Sequence, residues 1–481
     1  MLALGFVLCT GLVEAQETPT DETAPEPFPV RAVKVIGPLT DEDIAAHTEF
    51  ALAIGFNALW IPSGSAGRWV QSEGEDRPEL FPEFLDLADR CAHSGVRIFL
   101  AVEPVRDAQG SIVLSDTATV KRLARFLRLA RRKAGVHDFV ISFHGAGLRL
   151  TELTDLLAYG RIAAAAHVEL TSRLARKLGP DDRVWFAPTI YSDEHLDDTR
   201  LRYPEALLDA IAGLAPRIGI VWSGPGAVSP SITATDLSAT RARFGGRPLM
   251  LDDRYPANGS GDRLPLALIL GPLRHRDPAL AGEIEAYVST PMGELGASRL
   301  ALLTVAAFLT DPEGYDADAR WLAAMKRLAG EAPDALNALR TQASEWGGWV
   351  GTANYHTAFD DNPQSAAQSL RDPAAVASWS WPDRTYPDRM ASLGALDDAR
   401  FREELLLTMA RRLAVARAVP VVREILSVSY RPQGGNESLL STIQSQRREL
   451  AGRPEVLLAL DRFLYHTGVG AMLVEREAPA E

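Results

Sequence analysis

Sulfur and lysine are scarce in this 481-residue chain. It has two cysteines, Cys9 and Cys91, and only five lysines among 50 basic residues: Lys34, Lys121, Lys133, Lys177 and Lys326. No zinc-type Cys/His spacing occurs, and with Cys9 in a segment expected to be removed, one thiol remains and no intrachain disulfide. Cys91 reads as a small buried residue on a helix. The lysine shortage with abundant arginine marks a GC-rich bacterial genome rather than a function. A basic face is missing too: 63 acidic against 50 basic residues leave a net charge of −13, which excludes a nucleic-acid binder of the usual basic kind. Phosphate loops and dinucleotide fingerprints are absent; the glycines of His144-Gly145-Ala146-Gly147 have the wrong spacing. No cofactor and no metal are expected.

Long apolar runs are confined to the start. Met1–Gln16 (MLALGFVLCTGLVEAQ) has signal-peptide length, ends in a small-residue cleavage pattern, and is too short to span a membrane. Residues 1–15 are therefore expected to be a signal peptide, and the mature protein periplasmic or secreted with no membrane span. The acidic, proline-rich stretch 16–28 reads as a disordered linker.

Beyond it, hydrophobic residues at 46% and charged residues at 23% are those of a globular protein. Short β-branched apolar runs alternate with amphipathic stretches of helical period. The runs are Ala32–Ile36, Ala58–Pro62, Val96–Val102, Asp138–Phe143, Arg183–Pro188, Ile218–Trp222, Pro248–Asp252 and Ala286–Ser289. Helices are expected between them, for example over Leu80–Cys91, Thr119–Arg132, Gly160–Leu178 and Pro204–Leu214. Eight such units over roughly 260 residues predict a parallel (β/α)8 TIM-type barrel over residues 29–316. From 317 to 481 helical periodicity takes over (Arg320–Leu328, Pro333–Trp346, Asp398–Leu426, Leu439–Thr467), predicting an all-α C-terminal domain. Gly347–Leu393 interrupts it as an irregular connection rich in Gly, Asn, Asp, Pro and aromatics.

In a barrel of this kind, residues at the C-terminal strand ends line the site. That rule nominates Lys34, Gly37, Ser63, Arg68, Glu103, His144, Tyr191, Ser223, Asp252, Asp253, Asn258 and Thr290. Each has a plainer reading. Asp252 and Asp253 point to opposite faces while still in strand, and helix capping or a salt bridge near Arg254 accounts for them more readily than catalysis. Glu103 reads as a strand-end carboxylate paired with an arginine, and His144 as a satisfied strand-end histidine. The aromatics Trp346, Trp349, Tyr355, Trp379, Trp381 and Tyr386 either offer a binding patch or pin an irregular loop onto the barrel; the second is the simpler reading.

A run of motifs then narrows the field. They are Ala187-Pro188-Thr189-Ile190-Tyr191, Trp222-Ser223-Gly224-Pro225, Leu251-Asp252-Asp253, Tyr255-Pro256 and Asn258-Gly259-Ser260. Leu270-Gly271-Pro272, Thr290-Pro291-Met292 and Pro312-Glu313-Gly314-Tyr315-Asp316 follow. In order and spacing they resemble glycoside hydrolase family 84, the O-GlcNAcase and bacterial β-N-acetylglucosaminidase family. The resemblance is strong over about a hundred residues and weaker back to Arg31. It implies substrate-assisted hydrolysis: the sugar's acetamido oxygen attacks, and two consecutive Asp residues after strand four polarise it and supply the acid.

Here that pair falls on His144 and Gly145. By the same resemblance the family's lysine after strand two falls at Ser63, and its early glycine near Lys34. The strand-seven Trp and Asn fall at Leu251 and Asp253. The Asp that clasps the sugar hydroxyls falls at Gly259, and the strand-eight Asn at Thr290. Tyr191, Trp222, Asn258 and the Gly-Pro turns survive, and Trp222 joins the candidate ligand contacts at the mouth. General acid catalysis contributes roughly 10² to 10⁴ in rate and nucleophile polarisation a similar factor. Losing both costs on the order of 5–10 kcal/mol. The sequence thus predicts a pseudo-glycosidase with a binding or scaffolding role and no catalytic residue of the family type. Its partner would be a GlcNAc-containing glycan, a peptidoglycan fragment or a protein. The alternative is an active hydrolase with a relocated acid/base set drawn from Glu103, His144, Asp252 and Asp253. A third reading gives the C-terminal helices a protein-interaction role on the barrel as a base.

Overall fold

The computed structural model describes residues 27–36, 40–62, 70–71, 79–80, 82–104, 106–107, 110–257, 268–346, 370, 382, 384–428, 437–470 and 472–473. Eight strands form a closed barrel: β1 (Arg31–Lys34), β2 (Ala58–Pro62), β3 (Arg97–Val102), β4 (Asp138–Ser142), β5 (Arg183–Ala187), β6 (Gly219–Trp222), β7 (Leu249–Pro256) and β8 (Ala286–Thr290). All eight of the expected apolar runs are therefore barrel strands. Every neighbour pairs in parallel, and β1 closes the ring through Arg31↔Tyr287 on one side and Ala32↔Ala58 on the other.

Both faces of each strand are buried, which is why the runs read as nearly continuous apolar stretches. Alternate residues separate cleanly into two cores. Ala32, Ala58, Trp60, Phe99, Ala101, Val140, Trp185, Val221, Met250 and Val288 fill the lumen. Their neighbours Val33, Leu59, Ile61, Leu100, Ile141, Phe186, Leu251 and Tyr287 face the helices. Gly219 is required by this packing: a Cβ there would meet the Trp185 ring at 2.3 Å.

Helices follow most strands: Asp41–Ala53, Pro82–His93, Thr117–Ala134, Ala164–Ala175, Tyr203–Ile211, Ala234–Arg243 and Arg299–Thr310. Thr40 and Thr233 each cap theirs with a reciprocal Thr–Asp box, and Gly135 ends another in the left-handed conformation. Cys91 is buried on the helix Pro82–His93, as expected, and burial pushes its thiol up to about 11.

Beyond the barrel come the helices Ala317–Ala329, Pro333–Trp346, Tyr386–Leu393, Ala399–Val428, Glu437–Glu449 and Pro454–Thr467. Those up to Met409 share the apolar cluster that covers the barrel; Val415 to Leu473 build a second one. None of the helices among the described residues is long and apolar enough to cross a membrane.

Three expectations need correction. The disordered stretch does not extend to residue 28: Phe28 is fully buried against Tyr287 and Phe308, between β8 and the helix Arg299–Thr310. The single helix expected over Leu439–Thr467 is two, because Gly452 and Pro454 break the hydrogen-bond ladder between them. The irregular connection ends in a helix, Tyr386–Leu393, with Tyr386 buried. Most of that connection, with Trp349, Tyr355, Trp379 and Trp381, lies outside the described residues.

Candidate functional site at the barrel mouth

Strand alternation decides which residues reach the mouth. On β7, Met250 points into the lumen and Leu251 away. Asp252 therefore faces inward, Asp253 outward and Arg254 inward again. The same count places Lys34 on β1, Glu103 just after β3, His144 after β4 and Thr290 on β8 towards the axis. These side chains, with Trp60 below and Tyr191 beside them, form one polar ring.

Its centre is an ion pair. Lys34 Nζ lies 2.6 Å from Asp252 Oδ2, with only 15% and 2% of the two side chains exposed. The ammonium also sits 4.6 Å over the Trp60 ring. Thr290 Oγ1 donates to the other Asp252 oxygen at 3.1 Å. Burial works against the Asp252 anion, but the Lys34 charge and hydrogen bond, with Arg254 and His144, outweigh it and hold its pKa below the usual carboxylate value. The Tyr191 hydroxyl lies within hydrogen-bonding reach of Asp252; burial first and the Asp252 charge second raise its pKa.

Around this centre stand three side chains with less to hold them. Burial pushes the Glu103 carboxyl up, opposed by Lys34. The His144 ring packs edge-on against Tyr191 at 5.5 Å. Burial, then the Arg254 and Lys34 charges, lowers its pKa. Arg254 is half-buried, and its charge bears on His144, Asp252 and Tyr191 alike.

Two nominated residues point elsewhere. Asp253 is not a mouth residue. It lies outside the lumen, fully buried, with Arg276 gripping both its oxygens at 2.8 and 2.9 Å and the Tyr287 hydroxyl donating to it. Its partner is thus Arg276 and not Arg254. Arg276, in the loop after β7, had no signal in the sequence beyond its type. Trp222 is likewise turned outward and fully buried among the helix-facing core. Ser223 is buried, its hydroxyl spent on the Tyr191 and Gly226 carbonyls. Glu103 faces Lys34 instead of the arginine expected for it. Ser63, Asn258, Gly37, Arg68 and Gly259 lie outside the described residues.

The tips of β3 and β4 are tied together by a residue the sequence reading missed. Asp155, buried on the short helix Leu153–Tyr159, accepts from the backbone amides of Leu114 at 2.8 Å and Ser115 at 2.7 Å. This couples the loop that follows Glu103 to the loop that follows His144. At Gly145 the backbone is left-handed, φ +79°, where any side chain is strained.

The retained motifs are architectural. Tyr255, joined to Pro256 by a cis peptide, donates to the Gly271 carbonyl at 2.5 Å. Tyr315 donates to the Leu273 carbonyl at 2.8 Å, and Trp321 Nε1 to that of Leu270 at 2.7 Å. Asp316 caps the next helix. The Leu-Gly-Pro turn is thus gripped from three sides.

Comparison with known proteins agrees with this picture. The family model for beta-N-acetylglucosaminidase matches residues 68–343. A mutant O-GlcNAc hydrolase of Thermobaculum terrenum shares 20% identity, with a TM-score of 0.62 and 94% of each chain covered. CpGH84B shares 16% identity, with a TM-score of 0.58, over 92% of this chain and 77% of its own. At those identities the two structures speak for the fold. The family model spans more than half the chain, and the chain belongs to the β-N-acetylglucosaminidase family.

Proposed function

We propose that this protein binds a GlcNAc-containing glycan at the barrel mouth without hydrolysing it. One observation carries the reading: the ring's central carboxylate is already committed. Asp252 is an ion pair with Lys34, and the Asp253 beside it is sealed outside the lumen by Arg276 and Tyr287. Where the family resemblance calls for the acid, Gly145 has no side chain and His144 holds its proton weakly. The family's chemistry needs a fixed carboxylate against the acetamide and a second acid at the leaving oxygen. Neither role has an occupant at the tip of β4. The apolar leader supports a periplasmic or secreted location, and the helices from Ala317 onward support a scaffolding role beside the barrel.

A second reading is favoured by Glu103. Its carboxyl faces the mouth, and burial stabilises its protonated form. A raised acid beside an ionised Asp252 is the arrangement that divides acid from base in hydrolases. With the substrate's acetamide as nucleophile, Glu103 would deliver the proton.

The deciding assay is turnover of a fluorogenic aryl β-N-acetylglucosaminide by the full chain beside an active family member. The aryl leaving group needs little acid assistance, so the test is generous. We expect no release above buffer, together with saturable binding of chitobiose by calorimetry. Turnover of the aryl substrate, together with chitobiose hydrolysis that Glu103→Gln abolishes, would overturn this and establish the second reading.

A further inference from the structure

The mouth is unevenly satisfied. Lys34, Asp252, Thr290 and Tyr191 answer one another. Arg254 does not: its guanidinium makes no hydrogen bond or ion pair with a described residue, and neither does the Glu103 carboxyl or the His144 ring through its nitrogens. All three nevertheless stand at the same end of the barrel, at the tips of β3, β4 and β7. The charges of Asp252, Arg254 and Glu103 act together on Tyr191, and those of Arg254, Lys34 and Asp252 on His144. Among the described residues of the ring Lys34 is paired with Asp252, while Arg254 and Glu103 are joined to no partner.

A half-buried guanidinium offers donors in a rigid planar fork that matches a carboxylate with two parallel hydrogen bonds. A neutral sugar seated there would cover the fork and leave it poorly matched, which costs binding. We propose that the ligand is an acidic amino-sugar glycan, a GlcNAc-type saccharide bearing a carboxylate that Arg254 grips from both sides while Glu103 takes the sugar's hydroxyl or amide donors. This rests on the glycan-binding reading above and names its ligand class. The neutral saccharide of the family's own chemistry would be the weaker ligand.

The test is calorimetric titration of the full chain with four probes. They are chitobiose, the N-acetylglucosaminyl-N-acetylmuramic acid disaccharide, the methyl ester of that disaccharide, and sugar-free D-lactate. The acid disaccharide is expected to bind at least tenfold tighter than its ester or chitobiose. Arg254→Met should bring it down to the ester's level, while ester and chitobiose, no longer covering an unmatched fork, bind no more weakly than before. Arg254→Lys, which keeps the charge and loses the fork, should fall between. Equal binding of acid and ester would overturn the inference and leave the glycan reading standing. Lactate bound as tightly as the disaccharide, and lost in Arg254→Met, would keep the carboxylate grip and sink the glycan reading. No binding of any probe would refute both.

Discussion

Lys34→Met is the most informative single change, because it removes the ammonium and keeps most of the stem over Trp60. In the native protein Lys34 Nζ stands 2.6 Å from a carboxylate that is 2% exposed. Without it Asp252 retains Thr290 and Tyr191 as hydrogen-bond partners and feels the Arg254 charge, but has lost its ion pair. Stripping one partner from a buried pair costs about 3–5 kcal/mol, because the remaining charge is left desolvated. The pH dependence separates this from a packing defect. In the parent the folded pKa of Asp252 is depressed, so its contribution to stability is present above the unfolded value of about 4 and is lost as pH falls through the folded value. In the variant burial, the largest influence, is opposed by Arg254 and His144 without the lysine, so the folded pKa rises and the sign reverses. Stability should then fall as pH rises above about 4, by up to about 1.4 kcal/mol per unit, until the buried group ionises. Urea unfolding followed by tryptophan fluorescence between pH 4.5 and 7.5 should show a gap to the parent that widens with pH. The double change Lys34→Met with Asp252→Asn should recover at least about 2 kcal/mol of it at pH 7. A gap below about 1 kcal/mol, or one flat across that range, would refute the claim that the pair is a buried, mutually dependent unit.

Two further outcomes follow from the same geometry. Asp155→Ala removes two short charge-assisted bonds to the amides of Leu114 and Ser115; it should cost about 3 kcal/mol and speed amide hydrogen exchange at those two positions before the barrel strands respond. Arg276→Met leaves Asp253 charged and sealed away from water; it should cost about 3–5 kcal/mol in urea unfolding at pH 7, mostly recovered by adding Asp253→Asn.

The barrel was legible because its physics is local. A strand buried on both faces must be apolar at every position, and eight such runs spaced by helical stretches leave few topologies. The tip positions followed from chain direction alone, which is how Glu103, His144, Tyr191, Asp252 and Thr290 were found. Partnership was not legible, because it is set by closure of the ring. Lys34 and Asp252 are 218 residues apart and Asp155 reaches back 41 to Leu114; no pattern in either neighbourhood announces the other. Arg254 was misread for the same reason. Its proximity to Asp253 in sequence suggested a salt bridge, but strand alternation turns adjacent residues to opposite faces, and Arg276 takes that carboxylate instead. The break at Gly452 and Pro454 was visible and was overridden by helical periodicity on either side.

The departures from the family pattern also constrain one another. A lysine at the end of β1 points into the lumen and is tolerable only opposite an anion, which Asp252 supplies. With that carboxylate paired, Glu103 is the remaining carboxylate of the ring near Arg254 among the described residues, and in the proposal above the guanidinium goes to the ligand. Asp253, where the resemblance expects an asparagine on the sugar-binding side, instead faces the helices and needs Arg276 to be buried at all. Returning Asp to position 144 would set a further carboxylate beside Asp252 and Glu103, and returning it to 145 would force a side chain onto a left-handed backbone at about 1–2 kcal/mol. The resemblance puts His144 and Gly145 where it implies the acid pair, and the charges around them pair Lys34 with Asp252 and leave Arg254 to the anionic ligand proposed above.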